Sequence, residues 1–179
     1  MGVGLSYIPQ AVGLPALTKP EILVGLVIIF TLSFLLHEIA HKLTAQHYGL
    51  LAEFRITLWG AIITLISMLP LPFFKLISPG AVMIAGPITE KEAGKTAVAG
   101  PLTNIVISTT CTLVLTTAQN TSHLIIPFFG AWINAIIALF NLIPFGIMDG
   151  LKVFRWNKLV WTAAFIASVA LTVYVFTFI

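Results

Sequence analysis

Residues 22–41 read ILVGLVIIFTLSFLLHEIAH, an apolar run relieved only by Gly25, Thr31 and Ser33 that ends in His37, Glu38, Ile39, Ala40 and His41. Pro20 suits the start of a helix and Gly49 its end, so the pattern predicts one helix over Glu21 to about Gly49. At ~1.5 Å per residue, His37 lies ~22 Å beyond Ile22, inside a hydrocarbon layer ~30 Å thick and near its exit side. Two imidazoles and a carboxylate at that depth are costly unless a metal or a partner holds them, so their position itself argues for chemistry.

The rest of the chain fits that setting. It is 59% hydrophobic and 8% charged, where a soluble domain carries roughly 25% charged residues. The expected fold class is an all-α polytopic membrane protein of about four transmembrane helices, with a small β-hairpin or re-entrant segment between the first two. Its 179 residues leave no room for a further soluble module of ordinary size. The formal charge of +3 is a topology signal in such a chain, and nucleic-acid binding is not expected. Cys111, the single cysteine, cannot form an intramolecular disulfide and sits where packing is its expected role. Residues 1–20, broken by Pro9, Pro15 and Pro20 and without a cleavable-signal pattern, read as an interfacial lead-in. Residues 21–158 form the expected catalytic core and residues 159–179 a C-terminal transmembrane helix.

Within the core, Leu51 to Trp59 alternates like a strand, and Ala61 to Ile77 is apolar but broken by Pro70 and Pro72. Pro79-Gly80 turns the chain into a short strand, Ala81 to Ala85. Thr89 with Glu92 forms a capping-box signature that opens a helix to about Thr117. Ile125 to about Met148 reads as an apolar helix interrupted by Pro144 and Gly146, and Leu159 to Ile179 as the last. If residues 61–77 do not span, eight of the nine Lys and Arg share one face; if they do, seven share it. The positive-inside rule barely separates these topologies. Chemistry separates them better: four spans without 61–77 bring His37, His41 and Asp149 to one side, the Lys/Arg-rich and therefore cytoplasmic side.

On a helix, residues i and i+4 are ~40° apart around the axis and ~6 Å apart along it, so His37 and His41 can grip one ion. Zinc suits two imidazoles. Glu38, on the adjacent face, can take a proton from a water activated by the metal rather than ligate. Catalytic zinc usually takes three protein ligands, and the candidates for the third are few. Cys111 falls toward the opposite face, His47 lies past the membrane exit and His123 is on the far polar link. Asp149, the sole aspartate, follows an apolar helix that ends on the favoured side. Pro144 and Gly146 would loosen the helix before it, and Gly150 permits an unusual conformation after it. Alternatively, Asp149 is a solvated residue of a helix-ending turn, and the H-E-x-x-H residues are a buried polar cluster between helices.

Asn141-Leu142-Ile143-Pro144-Phe145-Gly146-Ile147-Met148-Asp149-Gly150 resembles the N-x-x-P-x-x-x-x-D-G signature of the site-2 protease family of intramembrane zinc metalloproteases. Together with His37 to His41 it matches that family in order and placement, and Gly100-Pro101-Leu102-Thr103-Asn104 is similar to its G-P-x-x-N stretch. The resemblance covers roughly Glu21 to Arg155. It implies one Zn2+ held by His37, His41 and Asp149, with Glu38 as catalytic base, and cleavage of transmembrane protein substrates within or near the bilayer. Many members carry a further spanning helix before H-E-x-x-H, which residues 1–19 do not resemble. Asn141 is the candidate substrate-binding residue, with an interhelical polar contact as its alternative. Asn104 is expected to bond between helices, and Gly100 and Pro101 to serve packing and kinking.

The unwound substrate needs backbone partners, which the strand-like segments could supply by strand addition. A function of another class uses the same His/His/Asp site for metal handling or transport. That reading requires a continuous polar pathway, and no second ligand cluster is visible in the sequence toward the other face. A third reading is an inactive scaffold, against which the intact Glu38 weighs.

Overall fold

The computed structural model describes residues 19–56, 80–117 and 124–178. Most of the lead-in, the 61–77 stretch and the polar link with His123 lie outside the described residues. Among the described residues are five helices and one strand pair: α1 (Pro20–His47), β1 (Leu51–Ile56), β2 (Gly80–Ala85), α2 (Glu90–Thr117), α3 (Ile125–Asn141), α4 (Asp149–Trp156) and α5 (Lys158–Phe178). Among the described residues three helices are long and apolar enough to cross a membrane, Pro20–His47, Glu90–Thr117 and Lys158–Thr177, and α3 is a shorter apolar helix of 17 residues. The exposed side chains of α1 include Leu23, Val24, Val27 and Ile28, a surface suited to lipid rather than water.

Local chemistry explains the element ends. Pro20 occupies the first turn of α1, where a missing N–H costs nothing. At the other end Gly49 takes φ 72°, the Leu50 N–H donates to the Ala45 carbonyl at 3.1 Å and the Gly49 N–H to Gln46 at 2.9 Å. This is a Schellman stop, closed by the buried contact of Leu50 with Ala45. The same cluster takes in Ala52 and Val82 and so seats the hairpin on the end of α1. The strands pair antiparallel, Leu51 opposite Ala85 through Ile56 opposite Gly80. The capping box forms as expected: the Thr89 N–H donates to Glu92 Oε2 at 2.9 Å, and the Glu92 N–H to Thr89 Oγ1 at 3.3 Å.

Helix α3 packs on α1, α2 and α5. Its seam is made of small residues, with Ala131, Ala135 and Ala138 essentially inaccessible, which lets backbones approach closely. At Gly130 an added Cβ would come within 2.9 Å of Cys111 Sγ, so the cysteine is a packing residue of the α2–α3 seam. A second cluster, Ala97, Val98 and Val153 with Trp156, Val160 and Trp161, binds α4 and α5 to α2.

The expected helix from Ile125 to Met148 is shorter than its pattern. It ends at Asn141, because Pro144 disfavours helical geometry at Ile143 and Gly146 takes φ 59°. Asp149 then opens a separate short helix, α4, instead of standing in a helix-ending turn. Gly150 also serves a different end from the one expected. It is an ordinary helical residue, but a Cβ there would collide with the Leu142 carbonyl. Close approach, not an unusual conformation, requires glycine. The Leu142 carbonyl also accepts from Trp161 Nε1 at 2.8 Å, so α5 fastens the turn that delivers Asp149.

Candidate metal centre

One turn of α1 presents two imidazoles on the same buried face: His37 is 3% exposed and His41 8%. Their Nε2 atoms are 3.0 Å apart. From α4, Asp149 Oδ2 reaches to 3.5 Å from His37 Nε2 and 3.0 Å from His41 Nε2. Zinc bonds of about 2.0–2.2 Å in a tetrahedral site put donor atoms about 3.3 Å apart, so these three separations match the edges of such a site. Among the described residues, His37, His41 and Asp149 form the group of His, Cys, Asp and Glu able to hold a metal ion.

Each imidazole is oriented through its other nitrogen. His41 Nδ1 lies 2.7 Å from the Thr96 carbonyl and His37 Nδ1 lies 2.5 Å from Asn104 Oδ1. Both partners are acceptors, so both Nδ1 atoms carry a proton and, in the neutral rings, both Nε2 lone pairs face the carboxylate. Three acceptors at this distance repel one another unless positive charge lies among them, as protons on the imidazoles or as a cation. The donor set therefore fits a divalent metal. Burial pushes the Asp149 carboxyl up, but hydrogen bonding and charge from His37 and His41 outweigh it and hold the group well below the usual carboxylate range. The other carboxylate oxygen lies 3.7 Å from Lys152 Nζ.

Space for the histidines comes from α2. A Cβ on Gly100 would lie 2.6 Å from His41 Cε1 and 2.7 Å from His37 Cε1, so Gly100 is not only a helix-packing residue but the gap into which both rings fit. Glu38, the candidate base, accepts the Val82 N–H at 3.0 Å through Oε2. Val82 stands opposite Phe54 in the hairpin, and with its N–H given to Glu38 that pair is a non-hydrogen-bonded one. The outer edge of β2 is thus turned toward the base.

Asn141 lies at the end of α3 and donates through Nδ2 to the Ile137 carbonyl at 3.0 Å; it is not among the groups that meet the imidazoles. Asn104 bonds between helices as expected, and its partner is His37 itself. Three participants escape the motifs. Asn134 and Ser33 stand behind Asn104, and Thr96 supports His41. An amide amid the apolar residues of α3 was a visible signal for Asn134. Thr96 left none, because it acts through its main chain.

No family model and no solved structure matches this chain. It is similar to the "Putative zinc metalloprotease MJ0611" of Methanocaldococcus jannaschii, at 39% identity over 131 residues that cover 72% of this chain and 68% of that protein. It is also similar to the "Putative zinc metalloprotease Rip3" of Mycobacterium tuberculosis, at 28% identity over 154 residues, 82% of this chain but 35% of Rip3. The chain therefore spans about a third of that second relative.

Proposed function

This chain belongs to the zinc metalloprotease family of its archaeal relative, consistent with the site-2 proteases that its motifs resemble, and from that premise we propose that it is an intramembrane zinc endopeptidase. It hydrolyses peptide bonds of transmembrane substrates within or near the bilayer. The observation that carries this reading is the convergence of His37, His41 and Asp149 on the buried face of a helix long and apolar enough to span. Helices α1, α2, α3 and α5 are the four spans, and the site lies toward the cytoplasmic side.

His37, His41 and Asp149 would hold one Zn2+, which would supply Lewis acidity for a water near neutral pH and for a peptide carbonyl. Glu38 accepts the proton of the attacking water as the C–O bond forms, and returns it to the amine as the C–N bond breaks. The outer edge of β2 offers main-chain groups beside that base, suited to an unwound substrate segment pairing as an added strand. Asn141 binds the substrate backbone near the same turn that carries Asp149.

The test is Glu38→Gln in the full chain, reconstituted with a membrane-spanning substrate. Zinc content should stay at the wild-type level while cleavage falls by at least about 100-fold, as expected for loss of a general base. Retained cleavage removes Glu38 from this role. Zinc flux into sealed vesicles without any cleavage would instead favour the metal-transport reading.

A further inference from the structure

Behind His37 runs a chain of buried amides whose hydrogen-bond directions can be assigned without ambiguity. Asn104, fully buried, donates through Nδ2 to the Ser33 carbonyl at 3.1 Å and to Asn134 Oδ1 at 2.6 Å. Both of its N–H groups are therefore spent, and only Oδ1 can face His37. Asn134, also fully buried, donates through Nδ2 to Ser33 Oγ at 2.7 Å and to the Gly130 carbonyl at 2.8 Å. Ser33 Oγ in turn gives its proton to the Ile29 carbonyl at 2.7 Å. Every direction in the relay is thus dictated by three main-chain carbonyls, those of Ile29, Gly130 and Ser33.

We propose that Asn134 is a positioning residue for the metal centre: by holding Asn104 in one amide orientation it keeps the proton of His37 on Nδ1 and the Nε2 lone pair directed at the ion. The inference rests on the zinc-centre reading above. Without the Asn134 oxygen, Asn104 keeps the Ser33 carbonyl at 3.1 Å but loses the shorter of its two Nδ2 bonds, so the flipped amide is less strongly excluded. The flipped amide presents an N–H to His37 Nδ1, which drives the imidazole proton to Nε2, where it blocks ligation. Asn134 touches neither the ligand atoms nor the proposed substrate edge, so its effect passes through Asn104. Groups of this kind contribute about 10- to 100-fold to metal affinity.

Two substitutions separate this role from packing. Asn134→Leu has the same branched shape as asparagine and suits an apolar helix, but it cannot accept from Asn104. Asn134→Asp keeps the acceptor and, as the neutral acid, one donor in place of two. With full-length protein in detergent micelles, zinc affinity is read by competition with a chromophoric chelator, and folding by helix content and thermal midpoint. Asn134→Leu should bind zinc about 10- to 100-fold more weakly, with Asn134→Asp restored to within about threefold of wild type. The proposal is overturned if Asn134→Leu binds zinc like wild type, or if Asn134→Asp is as weak as Asn134→Leu. Should the leucine variant fail to fold, Asn134→Ala is compared with Asn134→Asp by the same criteria. A wild-type protein that binds no zinc, or a His37→Ala variant that binds as well as wild type, would instead defeat the zinc centre itself.

Discussion

His37 and His41 sit one helical turn apart and point the same nitrogen at the same place, yet they are held by different kinds of support. His41 leans on the main-chain carbonyl of Thr96, which no substitution at that residue deletes. His37 leans on a relay of side chains, Asn104, Asn134 and Ser33, each of which a single mutation can remove. The difference shows where a buried polar site is vulnerable. A ligand anchored to backbone inherits the rigidity of its helix, whereas one anchored through amides depends on every member of the network being satisfied.

The comparison can be broken where both supports meet. Gly100→Ala places a methyl against both rings at once, so it should ignore the distinction and displace both ligands. Overpacking of this kind costs about 1–3 kcal/mol, and its upper end corresponds to about a 100-fold loss of zinc affinity. A zinc titration of the purified variant checks this, and near-normal affinity would show that the two rings are free to shift.

Asn104→Ala sharpens the contrast by removing the partner of His37 alone. Zinc affinity should fall by about 10- to 100-fold, and cobalt substituted for zinc should report an altered ligand field in its visible spectrum. An unchanged spectrum with unchanged affinity would mean that the relay is a helix-packing device only.

The smallest effect is expected at Thr96→Ala. The carbonyl that supports His41 remains, and the hydroxyl removed is a buried one without a hydrogen-bond partner among the described residues. Zinc affinity should stay within about twofold, and because an unpaired buried hydroxyl is costly, the thermal midpoint should hold or rise. A clear loss of affinity would show that the threonine side chain, and not its carbonyl, supports the site.

Much of this architecture is readable from the chain because the physics involved is local. The Schellman stop at Gly49, the Thr89–Glu92 capping box and the strand alternation after Leu51 each depend on a few adjacent residues. The i, i+4 spacing placed both imidazoles on one face before any packing was known. The end of α3 was misjudged for the opposite reason. Apolar composition continues past Asn141, and only the loop geometry around Pro144 and Gly146 stops the helix and gives Asp149 its own. Gly150 was misread likewise, since the Leu142 carbonyl that excludes a side chain there is brought in by a turn and not by the glycine's own backbone.

By itself, then, the sequence determined the kind of protein, the membrane setting and the candidate ligands, because composition, periodicity and motif spacing are properties of one chain segment at a time. Tertiary structure decided that the carboxylate of Asp149 lies 3.0 Å from one imidazole and 3.5 Å from the other. It also decided which nitrogen of each ring faces inward and which residues hold it so. Those outcomes join positions 67, 71 and 101 residues apart. A hydrogen bond across such a separation exists only when packed helices bring both groups within reach, out of water, with every donor matched to an acceptor.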